Sequence, residues 1–221
     1  MARPVVEVFD SPRAAAEEAA DAIASALRDA VLERGSATFI ASGGRTPEPV
    51  YDMLARADLP WDKVRVTLTD ERWVDAQSAD SNERMVRDRL FVERAEAASF
   101  VPLKSAHATP KEAAAHVERA LGPTLLADVV LLGMGEDGHV ASLFPGGPVL
   151  AEGLVVGVDA ADPAPPQPRL SLTMQSLQPR RLTVLLISGQ AKRRVLEDGA
   201  GLPVHTLLGR TKAPVRVLWS A

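Results

Sequence analysis

The sequence predicts an α/β fold in which a mainly parallel sheet carries helices on both faces. Short apolar segments rich in Val, Leu and Ile alternate along the chain with stretches of helical spacing, which is typical of parallel sheets. No repeat, low-complexity tract or linker divides the sequence, so we expect one domain over residues 1–221. Several predicted strands end in polar, glycine-rich segments, and ligands of such sheets bind beyond the carboxyl ends of the strands.

Composition and charge exclude several classes of protein. The absence of Cys excludes disulfides, thiolate zinc sites and a cysteine nucleophile. A net charge of −4 means that the chain lacks the overall positive charge expected of a nucleic-acid-binding protein. No apolar run reaches the roughly 18–20 residues of a membrane span, and residues 1–7 do not resemble a signal peptide. We therefore expect a cytoplasmic protein with no nucleic-acid or membrane partner; the sequence does not decide the oligomeric state, and a monomer is compatible with it.

Capping residues and apolar spacing predict the elements of the first half. Ser11 and Pro12 are typical of a helix N-cap and first helical position. Apolar residues at helical spacing then continue to Arg34, and Gly35 ends the helix. The other expected elements of this half are strands at 4–9, 37–42 and 63–69 and helices at 47–55, 81–91 and 110–121.

The second half continues the alternation of strands and helices. Residues 128–132 form a continuous apolar run, as expected of a strand buried on both faces. Residues 154–158 predict a weaker strand, and the four prolines of 162–168 predict a loop. A strand at 182–188, a helix at 190–197 and a final strand at 215–219 complete the prediction.

The first candidate binding segment is Ser42–Pro47, which follows a predicted strand and precedes a helix. Gly43 and Gly44 allow the backbone to approach an anion closely, and the next helix points amide groups at it. Ser42 and Thr46 add hydroxyl donors. The segment predicts phosphate binding, with a plain strand-to-helix turn as the alternative; it lacks the Gly-Lys-Ser/Thr ending of a Walker loop.

A second candidate is the triplet Asp70-Glu71-Arg72 at the end of the strand at 63–69. Acidic residues at this edge of a sheet can act as a base or position a substrate hydroxyl. The alternative is a solvated turn with a surface ion pair.

The third candidate is the segment Gly133–Gly146, called here the glycine-rich loop. It contains a formal G-x-G-x-x-G after a strand, but Pro145 and Gly146 interrupt the chain where a dinucleotide fingerprint requires a long helix. We therefore expect no NAD. The loop places His139, with Asp137 two residues earlier, at the expected cleft, and histidine suits proton transfer near neutral pH.

The remaining residues considered for a functional role are three histidines and two cations. We expect ordinary roles for His107 and His116, near or in a predicted helix, and for His205 in a short turn. Two cations, Arg169 and Lys192, are candidate ligands for an anion. Lys192 falls in the first turn of a helix, where a cation is unfavourable to the helix dipole and a bound phosphate would offset it; the alternative is an exposed lysine. We find no H-E-x-x-H, calcium loop or G-x-S-x-G motif, so neither a metal site nor a Ser-His-Asp hydrolase is expected.

In order and content, these motifs resemble the 6-phosphogluconolactonases, within the larger family that includes glucosamine-6-phosphate deaminase. The resemblance implies a Rossmann-like fold and hydrolysis of 6-phospho-D-glucono-1,5-lactone to 6-phosphogluconate in the oxidative pentose phosphate pathway, without metal or organic cofactor. The motifs that carry it are Ser42-Gly43-Gly44 with Thr46-Pro47, Thr69-Asp70-Glu71-Arg72, Ser81-Asn82, the glycine-rich loop, Arg169-Leu170-Ser171-Leu172-Thr173, and Gly189 with Lys192.

The resemblance also implies roles for individual residues. His139 would be the general base. The chemistry of lactone hydrolysis is consistent with this role if Asp137 orients or charge-stabilises the imidazole, and if Arg72 or backbone amides of the glycine-rich loop, such as that of Gly135, meet the oxyanion. Asp70 matches the catalytic aspartate of the deaminases. The implied phosphate ligands are Ser42, Gly43, Gly44, Arg169 and Lys192, with Thr46 beside them.

Two alternatives remain at this point. A deaminase or isomerase of the same family typically continues after the histidine with Phe-Asn-Glu-Pro, whereas this chain has Ser142-Leu143-Phe144-Pro145 and no acidic residue. A non-catalytic sugar-phosphate sensor would need a DNA-binding or partner module, for which we expect no room before the first strand. The presence of both His139 and Asp70 favours catalysis.

Overall fold

The computed structural model describes residues 5–122, 125–159 and 167–221. Within them, seven strands form one parallel sheet and three form a small antiparallel sheet. The strands of the parallel sheet are β1 (Val6–Phe9), β2 (Ala37–Ala41), β3 (Val64–Leu68), β5 (Ser99–Phe100), β6 (Val129–Leu132), β9 (Leu182–Ser188) and β10 (Val215–Ser220), and those of the small sheet are β4 (Asp70–Arg72), β7 (Val155–Val158) and β8 (Arg169–Leu172).

Six α-helices flank the sheets in the described part of the chain. They are α1 (Pro12–Arg34), α2 (Glu48–Leu54), α3 (Asn82–Leu90), α4 (Pro110–Leu121), α5 (Gln190–Asp198) and α6 (Pro203–Arg210). Two short 3₁₀ helices cover Trp61–Lys63 and Glu93–Ala97. The predicted fold class, an α/β fold with a mainly parallel sheet, is confirmed.

Helix α1 forms where its capping residues predict. The Ser11 hydroxyl accepts the Ala14 N–H at 3.2 Å, which satisfies one of the free amides of the first turn. Gly35 ends the helix with φ 74°, a left-handed conformation that favours glycine, and its N–H donates to Val31 O at 2.8 Å. The buried face of α1 packs on the parallel sheet.

The order of the parallel strands creates a switch point between β2 and β6. Across the sheet the order is β1-β10-β9-β6-β2-β3-β5. The chain moves outward from β2 in one direction and later returns through β6 to build the other half. A crevice forms at such a switch point beyond the carboxyl ends of the strands. Ser42–Pro47 follows β2 and the glycine-rich loop follows β6, so both candidate segments flank this crevice.

The small antiparallel sheet was only partly predicted. Residues 154–158 were expected to form a strand, and β7 confirms this. Strand β4, which follows β3 after Thr69, and strand β8 were not predicted; Asp70 pairs with Ser171 and Arg72 with Arg169. Asp70 and Glu71 are therefore buried, and the alternative reading of this triplet as a solvated turn is wrong.

One further element differs from expectation, and one prediction lies largely outside the described residues. His205 was expected in a short turn, but it lies in α6, a helix that was not predicted and that begins at Pro203. The predicted proline loop at 162–168 lies largely outside the described residues, which end at 159 and resume at 167. No helix in the described ranges is long and apolar enough to cross a membrane.

Candidate active site

A cleft of about 320 Å³ opens at the switch point. All of the predicted site residues line it except Asp137, which contacts one of the lining residues. The lining residues are Ser42, Gly43, Gly44, Arg45, Thr46, Pro47, Thr69, Asp70, Arg72, Asn82, Gly133, Met134, Gly135, His139, Ala141, Arg169 and Lys192. Segments that are distant in sequence thus meet in one cavity.

His139 is oriented by Asp137. Its ring Nδ1 lies 2.6 Å from Asp137 Oδ1, and its backbone N–H donates to the same oxygen at 3.1 Å. The ring also packs on Phe144, with centroids 4.5 Å apart. An ionised carboxylate at Nδ1 favours the tautomer that carries its proton there, which leaves Nε2 as an acceptor. An imidazole held in this way can accept a proton at Nε2.

Glycines of the glycine-rich loop permit this arrangement. A Cβ on Gly135 would lie 2.2 Å from His139 Nδ1 and 2.5 Å from Asp137 Oδ1, so only glycine fits beside the pair. The Gly135 N–H donates to His139 O at 3.0 Å and closes the loop on itself. The first turn of α6 holds the same loop, because the Val204 N–H donates to Gly138 O at 3.0 Å.

The Ser42–Pro47 segment is shaped by its neighbours. A Cβ on Gly43 would lie 2.0 Å from Asn82 Oδ1, so this glycine allows close packing against α3. The Tyr51 hydroxyl donates to Ser42 O at 2.6 Å, and burial raises the pKa of Tyr51, which keeps it a donor. The Ser42 hydroxyl is buried without a hydrogen-bond partner among the described residues. A buried, unpaired hydroxyl at a cleft is available to a ligand.

Asp70 and Arg169 form a buried cluster beside the cleft. Asp70 Oδ1 accepts the Thr69 hydroxyl at 2.9 Å, and Oδ2 accepts the Ser142 hydroxyl at 2.6 Å. Arg169 Nη1 lies 3.6 Å from Asp70 Oδ2. Burial lowers the pKa of Arg169, and the charge of Asp70 opposes this shift. Arg169 Nε has no hydrogen-bond partner among the described residues.

The other cations give the cleft a net positive charge. Arg72 Nη1 donates to Asp80 O at 2.6 Å, while its buried Nε has no partner among the described residues. Burial lowers the pKa of Lys192 in the first turn of α5, and Glu136 opposes this shift. With Asp70 as the one carboxylate among the lining residues, the cleft favours an anionic ligand.

Glu71 is an important residue whose role the sequence did not reveal. Its carboxylate is 1% exposed and accepts the Ser81 hydroxyl at 3.0 Å, the Asn82 N–H at 2.8 Å and the Glu83 N–H at 2.7 Å. Burial raises the pKa of Glu71, and these hydrogen bonds oppose the shift. Glu71 thus anchors the first turn of α3 to β4. It also fixes the position of Asn82, against which Gly43 packs. The Ser-x-x-Arg start of α3 gave no sign of this distant acceptor.

The other histidines do not line the cleft. His107 and His116 lie together with ring centroids 5.3 Å apart, and His205 Nε2 lies 3.0 Å from Leu196 O. Across residues 5–122, 125–159 and 167–221, no group of three or more His, Asp or Glu side chains is arranged to hold a metal ion.

Comparison with known proteins identifies the family. The model of the glucosamine-6-phosphate isomerases/6-phosphogluconolactonase family matches residues 10–219. The chain belongs to this family. Its relatives within the family include the 6-phosphogluconolactonase of Caulobacter vibrioides, which is 45% identical over 97% of each chain. That of Rhizobium meliloti is 40% identical over 97% of this chain and 98% of the relative.

A solved structure within the family supports the same assignment. The crystal structure of a 6-phosphogluconolactonase from Shewanella baltica aligns with a TM-score of 0.91 at 35% identity, covering 100% of this chain and 99% of that chain. The family resemblance inferred from the motifs is therefore confirmed, as is the expected fold.

Proposed function

We propose that the chain hydrolyses 6-phospho-D-glucono-1,5-lactone to 6-phospho-D-gluconate, with His139 as the general base. One observation carries the proposal. The Asp137–His139 pair, with Nδ1 and Oδ1 2.6 Å apart, faces the same cleft as a set of cationic and unpaired polar groups suited to a phosphate. The relatives that match the chain over nearly its whole length are named 6-phosphogluconolactonases, which supports the choice of substrate.

The phosphate end of the substrate is assigned to the Ser42–Gly44 segment, Arg169 and Lys192. The Ser42 hydroxyl and Arg169 Nε are buried donors without partners among the described residues, and a phosphate oxygen would satisfy them. Binding energy from this remote group orients the lactone carbonyl for attack. The ligand requires no metal in this scheme.

The reacting end is assigned to His139. Neutral His139 removes a proton from water through Nε2 as the water oxygen attacks C1 of the lactone. Asp137 stabilises the imidazolium that forms, and Arg72 or an amide of the glycine-rich loop receives the oxyanion. When the tetrahedral intermediate collapses, the C1–ring oxygen bond breaks and His139 returns the proton to that oxygen. A positioned base of this kind contributes roughly 10²–10⁴-fold in rate.

The environment of Asp70 supports a lactonase over a deaminase. Its two carboxylate oxygens accept hydrogen bonds from Thr69 and Ser142 and face Arg169. A carboxylate committed to these partners is poorly placed to remove a proton from a sugar carbon. We therefore give Asp70 a supporting role in lactone hydrolysis.

The test is a rate measurement with the lactone generated in situ and 6-phosphogluconate followed by a coupled dehydrogenase. The protein should accelerate hydrolysis over the spontaneous rate, and His139→Ala should remove most of the acceleration. His116→Ala, an exposed histidine of α4 outside the cleft, is the matched control and should retain it. No acceleration by the unmodified protein would refute the activity, whereas full activity of His139→Ala would refute only the assignment of the base.

A further inference from the structure

Ser142 lies on the glycine-rich loop three residues after His139, but it does not line the cleft. Its side chain is 0% exposed. The preceding residue, Ala141, has φ 52°, in the left-handed region that residues other than glycine rarely adopt. This turn separates Ala141, which lines the cleft, from Ser142, whose side chain is buried against the small antiparallel sheet.

The Ser142 hydroxyl bridges a buried ion pair. It donates to Asp70 Oδ2 at 2.6 Å and accepts from Arg169 Nη1 at 3.3 Å. The two charged atoms are themselves 3.6 Å apart, which is beyond hydrogen-bonding distance. The hydroxyl therefore supplies the hydrogen bonds that the ion pair lacks, in a place where all three side chains are shielded from water.

Further contacts fix Ser142 and Arg169 from both sides. The Ser142 N–H donates to Ser171 Oγ at 3.2 Å, and Ser171 is the residue of β8 that pairs with Asp70. The Phe144 ring lies 5.8 Å from the guanidinium carbon of Arg169 and also packs on His139. One loop thus contacts both the base and the guanidinium, and Ser142 is the hydrogen-bonding element of that connection.

We infer that Ser142 is a positioning residue that holds Arg169 in the orientation required to bind the phosphate of the substrate. The inference rests on the proposed function, because it takes Arg169 as a phosphate ligand. Without the hydroxyl, Asp70 loses one donor and the guanidinium loses its bridging acceptor. Arg169 is then free to pair directly with Asp70 and to leave the orientation in which it meets the phosphate.

The test is Ser142→Ala, examined by steady-state kinetics and by inhibition with inorganic phosphate. We expect KM for the phosphorylated lactone and the inhibition constant of phosphate to rise together by about tenfold, the scale of a lost hydrogen bond to a charged group. We expect kcat to change by less than about twofold, since the lost interaction affects ground state and transition state alike. A merely structural defect lowers the amount of active protein, so it reduces the maximal rate and leaves KM unchanged.

Ser176→Ala is the matched control. Its hydroxyl is also buried, at 2% exposed, and donates to Leu154 O at 2.7 Å, but it does not line the cleft. This variant should keep both constants. If Ser142→Ala does not fold, Ser142→Cys, which keeps the volume and weakens the hydrogen bonds, should raise both constants by a smaller factor. Unchanged KM and inhibition constant in a folded Ser142 variant would overturn the inference.

Calorimetric titration with inorganic phosphate separates this inference from the proposed reaction. If the unmodified protein does not accelerate lactone hydrolysis but binds phosphate more tightly than Ser142→Ala does, the reaction is refuted and the positioning role stands. If the unmodified protein does not bind phosphate, or both proteins bind it equally, the positioning role is refuted whatever the outcome for hydrolysis.

Discussion

Asp137 Oδ1 accepts two hydrogen bonds from one residue, His139, through the ring Nδ1 at 2.6 Å and the backbone N–H at 3.1 Å. The second contact fixes the carboxylate on the loop that carries the histidine, so both partners move as one unit. In the proposed reaction, this geometry determines which ring nitrogen faces the water.

Asp137→Asn should test the orientation and tautomer of the His139 ring while the ring itself is kept. An amide group can donate to Nδ1 and favour the tautomer with the proton on Nε2, which cannot accept a proton from water. We expect kcat to fall by roughly 10²–10⁴-fold with little change in KM. The measurement is the coupled lactonase assay, with Asp62→Asn at the exposed 3₁₀ helix before β3 as control. Normal turnover by Asp137→Asn would contradict the role given to Asp137.

Gly135→Ala should disturb the same pair through sterics alone. The added Cβ would lie 2.2 Å from His139 Nδ1, so the ring or the loop must shift. A displacement of about 1 Å at a catalytic group can cost on the order of 10²-fold in rate. Gly133→Ala on the same loop is the comparison, because its Cβ meets no atom within 4 Å. If kcat of Gly135→Ala equals that of the unmodified protein, the contact at Gly135 does not position His139.

The sequence predicted those parts of the fold whose signals are local. The continuous apolar runs of β6 and β9 and the capping residues of α1 each specify an element without reference to distant partners. Strand β4 could not be predicted in this way, because Asp70, Glu71 and Arg72 carry no apolar pattern. Their burial depends on pairing with β8, which comes from far along the chain.

The candidate site likewise has parts that the sequence predicted and parts that it did not. The segments at the ends of β2, β3 and β6 could be predicted because carboxyl ends of parallel strands meet at one edge of the sheet. The contact between Ser142 and Asp70 joins residues 72 positions apart, and the contact between Gly43 and Asn82 is also non-local, since it joins the segment after β2 to α3, which are separated in the chain by β3 and β4. No rule of sequence spacing predicts such contacts, so the residues that hold the site in position can be identified only from the structure.

Glu71→Ala should destabilise the protein more than any change at an exposed carboxylate. The substitution removes the acceptor of the Asn82 and Glu83 N–H groups, which remain buried at the start of α3. Each unpaired buried donor costs roughly 1–3 kcal/mol, so the loss of both partners should lower the free energy of unfolding by about 2–6 kcal/mol. Denaturant unfolding measures this, and Glu17→Ala, which breaks an exposed pair with Arg13, should cost less than about 1 kcal/mol. Similar losses for both variants would contradict the anchoring role of Glu71.

As a proposed phosphate ligand, Lys192 should give phosphate binding a pH dependence with a definite sign. Burial lowers the pKa of its ammonium group, so it loses its proton at a lower pH than an exposed lysine does. As pH rises through that lowered pKa, the attraction for phosphate weakens and the dissociation constant of 6-phosphogluconate should increase. Over the same pH range the folded state becomes more stable, because neutralising a buried lysine relieves its desolvation cost. Loss of affinity in this range therefore does not reflect unfolding.

Lys192→Arg should abolish this pH dependence. A guanidinium stays charged throughout the alkaline range, so the variant should keep its affinity while that of the unmodified protein declines. Lys192→Met, which has no charge, should bind more weakly by about tenfold or more at neutral pH and show no further decline from this group. Calorimetric titration with 6-phosphogluconate at a series of pH values measures all three proteins. A parallel decline in Lys192→Arg would assign the pH dependence to another group, and an unchanged affinity in Lys192→Met would remove Lys192 from the phosphate site.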